Sequence, residues 1–169
     1  MTLERKVAKA FNLTHENWMK HSNPWSVWTR YSVLPLIVLA FWSRTWIGWW
    51  CVIPGVLSVL WMFFNPVFFK SPGTTKNWAS KSVLGERVYL NRDKVSIPEI
   101  HTGTIIKILN SISSAGMLLA IWAIVEYSIW GAILGISLAY LGKSWYLDRM
   151  VWLYEDMKDK NEEYKSWDY

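Results

Sequence analysis

WIGWWCVIPGVLSVLWMFF, residues 46–64, runs for nineteen positions without a charge. A hydrocarbon layer of about 30 Å takes roughly 20 helical residues to cross, so this stretch reads as a membrane span. Three more apolar stretches flank it, at residues 31–43, 108–125 and 129–146. The first is short unless it extends back to Trp25, which draws Arg30 into the inner leaflet. A water-soluble four-helix bundle is the competing reading, and it needs a polar face on every helix. Residues 46–64 offer none, and residues 108–125 offer only Ser111, Ser113 and Ser114 near their start.

The charges sort around these stretches. Seventeen of the eighteen lysines and arginines lie on one side of them, together with all three histidines and twelve of the thirteen acids. Arg44 and Glu126, in the two short turns, are left on the other side. Cationic loops are retained in the cytoplasm, so both termini and the central segment are expected there, in a cytoplasmic-membrane protein. The net charge of +5 then faces anionic headgroups rather than nucleic acid, for which no compact basic helix or binding motif is present. The first twenty residues are amphipathic and lack the form of a secretory signal.

The pattern gives an all-α fold: a bundle of four transmembrane helices made of two helical hairpins. An amphipathic interfacial arm (1–22) leads to a first hairpin (23–64), a cytoplasmic central segment (65–104) and a second hairpin (105–146). A cytoplasmic extension of the last helix and a tail (147–169) complete one domain. In the arm, Leu3, Val7, Ala10, Phe11 and Trp18 recur at helical spacing between cations. Pro35 and Pro54-Gly55 are expected to kink the first two spans. The charged end, Lys158 to Tyr169, is expected to fray. Trp25, Trp28, Trp42, Trp46, Trp49, Trp50, Trp130 and Trp145 fall near span ends, where indole favours the membrane–water boundary, whereas Trp61 and Trp122 lie deeper. Gly131, Gly135 and Ala139 recur every four residues, as do Gly116 and Ala120. Small residues at that spacing allow close helix packing, within one chain or in a homo-oligomer.

Candidate chemistry gathers on the cationic face. Arg30 at the membrane edge needs a partner or a wet cavity. With His21, Asn23, Arg87, Asn91, Arg92 and Arg149 it forms a candidate site for a phosphate or carboxylate head, which guanidinium forks suit, and Trp61 is the candidate for holding the tail. The competing reading pairs Arg30, Arg87 and Arg149 with Glu86, Asp148 and Glu155 as structural ion bridges. His15, Glu86, Asp148 and Glu155 are the acid–base candidates if there is chemistry. His15, His21 and His101 are weak metal candidates, because their spacing matches no ligand motif and no site is assigned to them. Cys51 lies within a span, and no nucleophile elbow, phosphate loop or dinucleotide fingerprint occurs, so neither a reaction nor a cofactor is named.

The segments Asn23-Pro24-Trp25-Ser26-Val27-Trp28-Thr29-Arg30, Gly85-Glu86-Arg87-Val88-Tyr89-Leu90-Asn91-Arg92 and Tyr146-Leu147-Asp148-Arg149-Met150-Val151-Trp152-Leu153-Tyr154-Glu155-Asp156 carry a resemblance. They resemble an uncharacterised family of small, Trp-rich integral membrane proteins of archaea and bacteria, a domain of unknown function. That resemblance implies a membrane protein and no assigned activity. The residues themselves favour binding or processing of an amphiphile with an anionic head, a lipid or isoprenoid, at the cytoplasmic leaflet. A small oligomeric transporter or channel and an accessory subunit of a membrane complex are the alternatives. The topology has a direct check: a reporter fused after Tyr169 is expected to be active only in its cytoplasmic form.

Overall fold

The computed structural model describes residues 15–169, so Leu3, Val7, Ala10 and Phe11 of the interfacial arm lie outside the described residues. The described residues form helices and no strand, in agreement with an all-α fold. In chain order the helices are α1 (His15–His21), α2 (Pro24–Arg30), α3 (Val33–Trp42), α4 (Arg44–Ile47), α5 (Val52–Phe64), α6 (Trp78–Leu90), α7 (Thr104–Glu126), α8 (Ile129–Met157) and α9 (Glu162–Lys165). Two helical runs, Pro24–Phe68 and Glu99–Glu126, are long and apolar enough to cross a membrane, with mean hydropathies of 1.8 and 1.9. The chain divides into two compact units.

One unit comprises residues 29–65 and 104–146 and holds both hairpins. Its core is made of small side chains: Val38, Ala120, Ala123 and Ala132 are buried, with Leu34, Trp42, Ile124 and Ile136 packed around them. Helices α7 and α8 approach backbone to backbone. A methyl group added at Gly135 would lie 2.6 Å from the Ala120 nitrogen, and one at Gly142 would lie 2.7 Å from that of Ser113. Gly116 is similarly closed off by Ala139, and Gly131 by Trp122 and Ala123. The small-residue stripe is therefore filled within one chain. Large apolar side chains point the other way, with Leu118 68% exposed and Trp49 90% exposed.

The turn of the second hairpin falls at Glu126-Tyr127-Ser128, as the sequence suggests, with Tyr127 at φ 54°. Arg44 closes this turn. Its Nη2 donates to the carbonyls of Ile124 (2.9 Å) and Val125 (3.0 Å), and its Nε donates to the Tyr127 hydroxyl. These are α7 carbonyls that no further helical turn can satisfy.

The first hairpin departs from expectation. Helix α3 has 10 residues and α5 has 13, or about 15 and 20 Å at the helical rise. Residues 44–51 form α4 and a 3₁₀ turn instead of continuing a span, because Gly48 takes φ 56° and reverses the chain. Pro35 and Pro54 do not kink their helices. Each is the third residue of its helix, in the first turn, where the missing N–H has no carbonyl partner to forfeit.

The other described unit comprises residues 15–28, 66–103 and 147–169. The central segment contains α6, begun by Asn77, whose side-chain oxygen accepts from the Ser80 N–H at 2.9 Å. Its Leu84 and Val88 join Met150, Leu153 and Tyr154 of α8 in a fully buried core. At Gly85 the two helices touch so closely that a Cβ would overlap the Met150 carbonyl. The tail is not frayed. Asn161 caps α9, Trp167 is 1% exposed, and Thr75 donates its N–H to the Tyr169 carbonyl (2.8 Å) and its hydroxyl to that of Trp167 (2.7 Å).

The Gly85 contact yields a prediction. Gly85→Ala is expected to lower stability by about 1–3 kcal/mol, as overpacking of a closed interface does. Gly73→Ala, which meets nothing within 4 Å, should shift it by no more than about 0.5 kcal/mol. Thermal unfolding of the detergent-purified protein followed by near-UV dichroism checks both.

Candidate functional site

Arg87 in the last turn of α6 and Asn91, which ends that helix, both turn towards the tail. Arg87 is 9% exposed. Its Nη1 donates to Nδ1 of His15 (3.1 Å), its Nη2 pairs with Glu163 (3.2 Å), and its guanidinium stacks 3.9 Å over the Trp167 ring. Asn91 hydrogen-bonds the Tyr164 hydroxyl. Burial pushes the Arg87 guanidinium below its usual value while Glu163 pulls it back up. It stays a cation at neutral pH because arginine starts so high.

The remaining candidates are dispersed. Arg149 donates Nη2 to the Ile100 carbonyl (3.2 Å) and stacks on Trp152, while its Nε is buried without a hydrogen-bond partner. Asp148 accepts from the Trp78 indole (3.1 Å). Glu155 bridges Lys81 (2.5 Å) and Lys158 (2.7 Å). Glu86 is half-buried on α6. His21 packs edge-on against Trp18. Asn23 caps α2, accepting from the Trp25 N–H and donating to the Lys70 carbonyl (both 2.9 Å). Arg30 and Trp61 are half-buried and belong to the unit of residues 29–65 and 104–146.

The histidines do not meet. His101 is 2% exposed, with Nε2 2.7 Å from Asp156 and a buried Nδ1 that has no partner. No group of three or more potential metal ligands occurs among the described residues.

Arg92 borders an open cleft. A cleft of about 480 Å³ is lined by Arg92, Asp93, Lys94, Ser96, Ile97 and Thr102. The Arg92 guanidinium is held in place, with Nη1 donating to the Tyr89 carbonyl (2.8 Å) and the plane stacked 4.0 Å above the Tyr89 ring. The sequence reading passed over Lys94, Ser96 and Thr102. Their only signal was two cations within three positions beside the turn that Ser96-Ile97-Pro98 forms.

Residues 2–167 match the model of a family described as "Family of unknown function (DUF6653)". No curated protein and no solved structure matches the chain.

The Glu155 bridge makes stability depend on pH. Burial alone would raise this carboxyl, but hydrogen bonds from Lys158 and Lys81 outweigh it and hold the group below the ordinary glutamate range. A carboxyl depressed in the folded state stabilises it above its unfolded value, and that contribution is lost as pH falls through the folded one. The melting temperature is therefore expected to drop from about pH 5 to pH 3, near the ordinary glutamate value, and to drop less in Glu155→Gln. Melts across that range on both proteins check the sign.

Proposed function

The chain belongs to this family of unknown function, and we propose that it is a four-span integral membrane protein that binds an anionic-headed amphiphile at the cytoplasmic leaflet. The observation that carries the membrane reading is the packing of residues 29–65 and 104–146. Alanine and glycine fill the seam there, while many large apolar residues, among them Leu118, Ile121, Trp122, Ile133 and Leu134, are exposed. Water-soluble monomers seldom leave apolar patches beyond a few hundred Å² uncovered. In lipid the arrangement is favourable, because large side chains gain nothing by leaving hydrocarbon and close backbone contact holds the helices together.

The lengths are compatible with four spans. Helix α7 is about 35 Å long and the 29 residues of α8 about 44 Å. Residues 24–42 and 52–68 supply the other two crossings, each broken or extended by a short turn. The exposed Trp46, Trp49, Trp50 and Trp130 suit the outer boundary. Seventeen of eighteen cations on the other side suit a cytoplasmic face.

Binding is favoured over transport by the distribution of polar contacts. Within the hairpin unit, Asn65 bonds Thr29 (2.8 Å), the Tyr31 hydroxyl meets Ser144 (3.0 Å) and the Tyr140 hydroxyl donates to the Tyr31 carbonyl. These join residues 29–31 to Asn65, Tyr140 and Ser144. The core around Val38, Ala120, Ala123 and Ala132 is made of apolar side chains.

The membrane reading predicts that the protein stays with the membrane pellet after alkaline carbonate extraction. It also predicts that acyl-brominated phosphatidylcholine quenches most tryptophan fluorescence. Release into the carbonate supernatant would overturn it.

A further inference from the structure

We infer that the unit of residues 15–28, 66–103 and 147–169 carries a lipid-binding edge of its own, an apolar rim that sinks into the boundary between phospholipid headgroups and acyl chains. The inference rests on the membrane reading above and extends it beyond the spans.

This unit has a closed core of its own, in which Leu84, Val88, Met150, Leu153 and Tyr154 are fully buried. Tyr169 aside, its exposed large apolar side chains are Trp25, Trp28, Val67, Phe68, Ile100 and Trp152. All six stand where the chain passes to or from the hairpin unit. Trp25 and Trp28 run up to residue 29, Val67 and Phe68 follow residue 65, Ile100 precedes residue 104 and Trp152 follows residue 146. Helix α6 and residues 153–168 expose no large apolar side chain. Five of the six also belong to the apolar runs Pro24–Phe68 and Glu99–Glu126.

The unit's own contacts link these positions. The Asn23 side chain donates to the Lys70 carbonyl (2.9 Å), which brings the start of α2 beside residues 66–70. Trp28 stacks on Trp78 with ring centroids 5.5 Å apart, and the Trp78 indole donates to Asp148 (3.1 Å). One residue on, Arg149 stacks over Trp152 and donates to the Ile100 carbonyl (3.2 Å). Val67, Ile100 and Trp152, from three separate segments, are 71%, 65% and 54% exposed.

Continuity with the apolar runs selects lipid as the occupant. The polar layer outside the hydrocarbon is about 5–8 Å deep on each side of a bilayer. Four helical residues rise only about 6 Å, so a side chain that close to a span end stays within this layer. Indole suits it, with an apolar body and an N–H that reaches water. Lys70 and Arg149 stand on the same edge, and among the described residues neither forms an ion pair. Long cationic side chains there can lie along apolar surface while their heads meet headgroup phosphates.

The experiment uses the full chain in nanodiscs of phosphatidylcholine and phosphatidylglycerol, both faces of which are open to solvent. Val67→Cys, Ile100→Cys and Trp152→Cys each carry an environment-sensitive NBD label. Lys165→Cys serves as the exposed control, and the parent chain gives the background from the buried Cys51. The three rim positions are exposed and lie on different segments, so a folding defect in one variant leaves the other two to decide. Their emission is expected to shift to the blue relative to position 165 and to resist aqueous iodide. A spin label high on the lipid acyl chain should quench them more than one near its end, as a depth of about 5–10 Å requires. Iodide quenching equal to that at position 165 overturns the rim. Stronger quenching by the deeper label overturns the interfacial depth. Protection from iodide without quenching by either lipid label makes the occupant a protein and overturns the lipid assignment. Carbonate extraction of the parent chain separates this inference from the reading it rests on. Retention in the pellet with iodide-quenched labels strikes the rim alone, whereas release with labels still quenched by lipid strikes the spans alone.

Discussion

The contact between the backbones of α7 and α8 sets the terms for the hairpin unit. With Gly116, Gly135 and Gly142 lying against Ala139, Ala120 and Ser113, no side chain larger than a methyl or hydroxymethyl group fits along the seam. Many large apolar residues on these helices, such as Leu118, Ile121, Ile133 and Leu134, are therefore left exposed. That one geometric condition produces both the small-residue core and the uncovered leucines and tryptophans outside it. In water it would leave much of the hydrophobic driving force unused, because the side chains with most apolar area stay on the surface. In lipid the same condition maximises close van der Waals contact, the interaction that remains between helices there.

Arg44 shows how the charge pattern and this packing meet. It is the only cation in the short turns, and a purely electrostatic account of orientation would leave it unexplained. Its guanidinium lies 4.3 Å from the Tyr127 ring and bonds two carbonyls at the end of α7. A cation at a helix C-terminus meets both the unsatisfied carbonyls and the negative end of the helix dipole. The residue that breaks the charge rule thus closes the hairpin turn.

How much of this could be read from the chain differs from element to element. The second hairpin was legible because period-four small residues and a three-residue turn are local signals, and α7 and α8 follow them closely. The first hairpin was less so. Whether Pro35 or Pro54 kinks a helix depends on where that helix begins, and this was set by turns such as Gly48 that apolar composition conceals. The tail was misread for a similar reason. Its charge suggested fraying, while Tyr164 and Trp167, three apart on one face, bury almost completely. Arg87's acid is Glu163, 76 positions away, rather than the nearer Glu86 or the α8 acids. Ion-pair partners are tertiary facts that spacing along one helix cannot fix.

The contrast between Arg87 and Arg92 carries the argument about the site one step further. A guanidinium taken out of water must be repaid by fixed partners, and Arg87 has three: His15, Glu163 and the face of Trp167. To bind a ligand it would have to release them and disrupt the packing of the tail, so its charge is committed to structure. Arg92 stacks on Tyr89 and donates to that residue's carbonyl at the rim of an open cleft. Burial with fixed partners marks Arg87 as a structural cation.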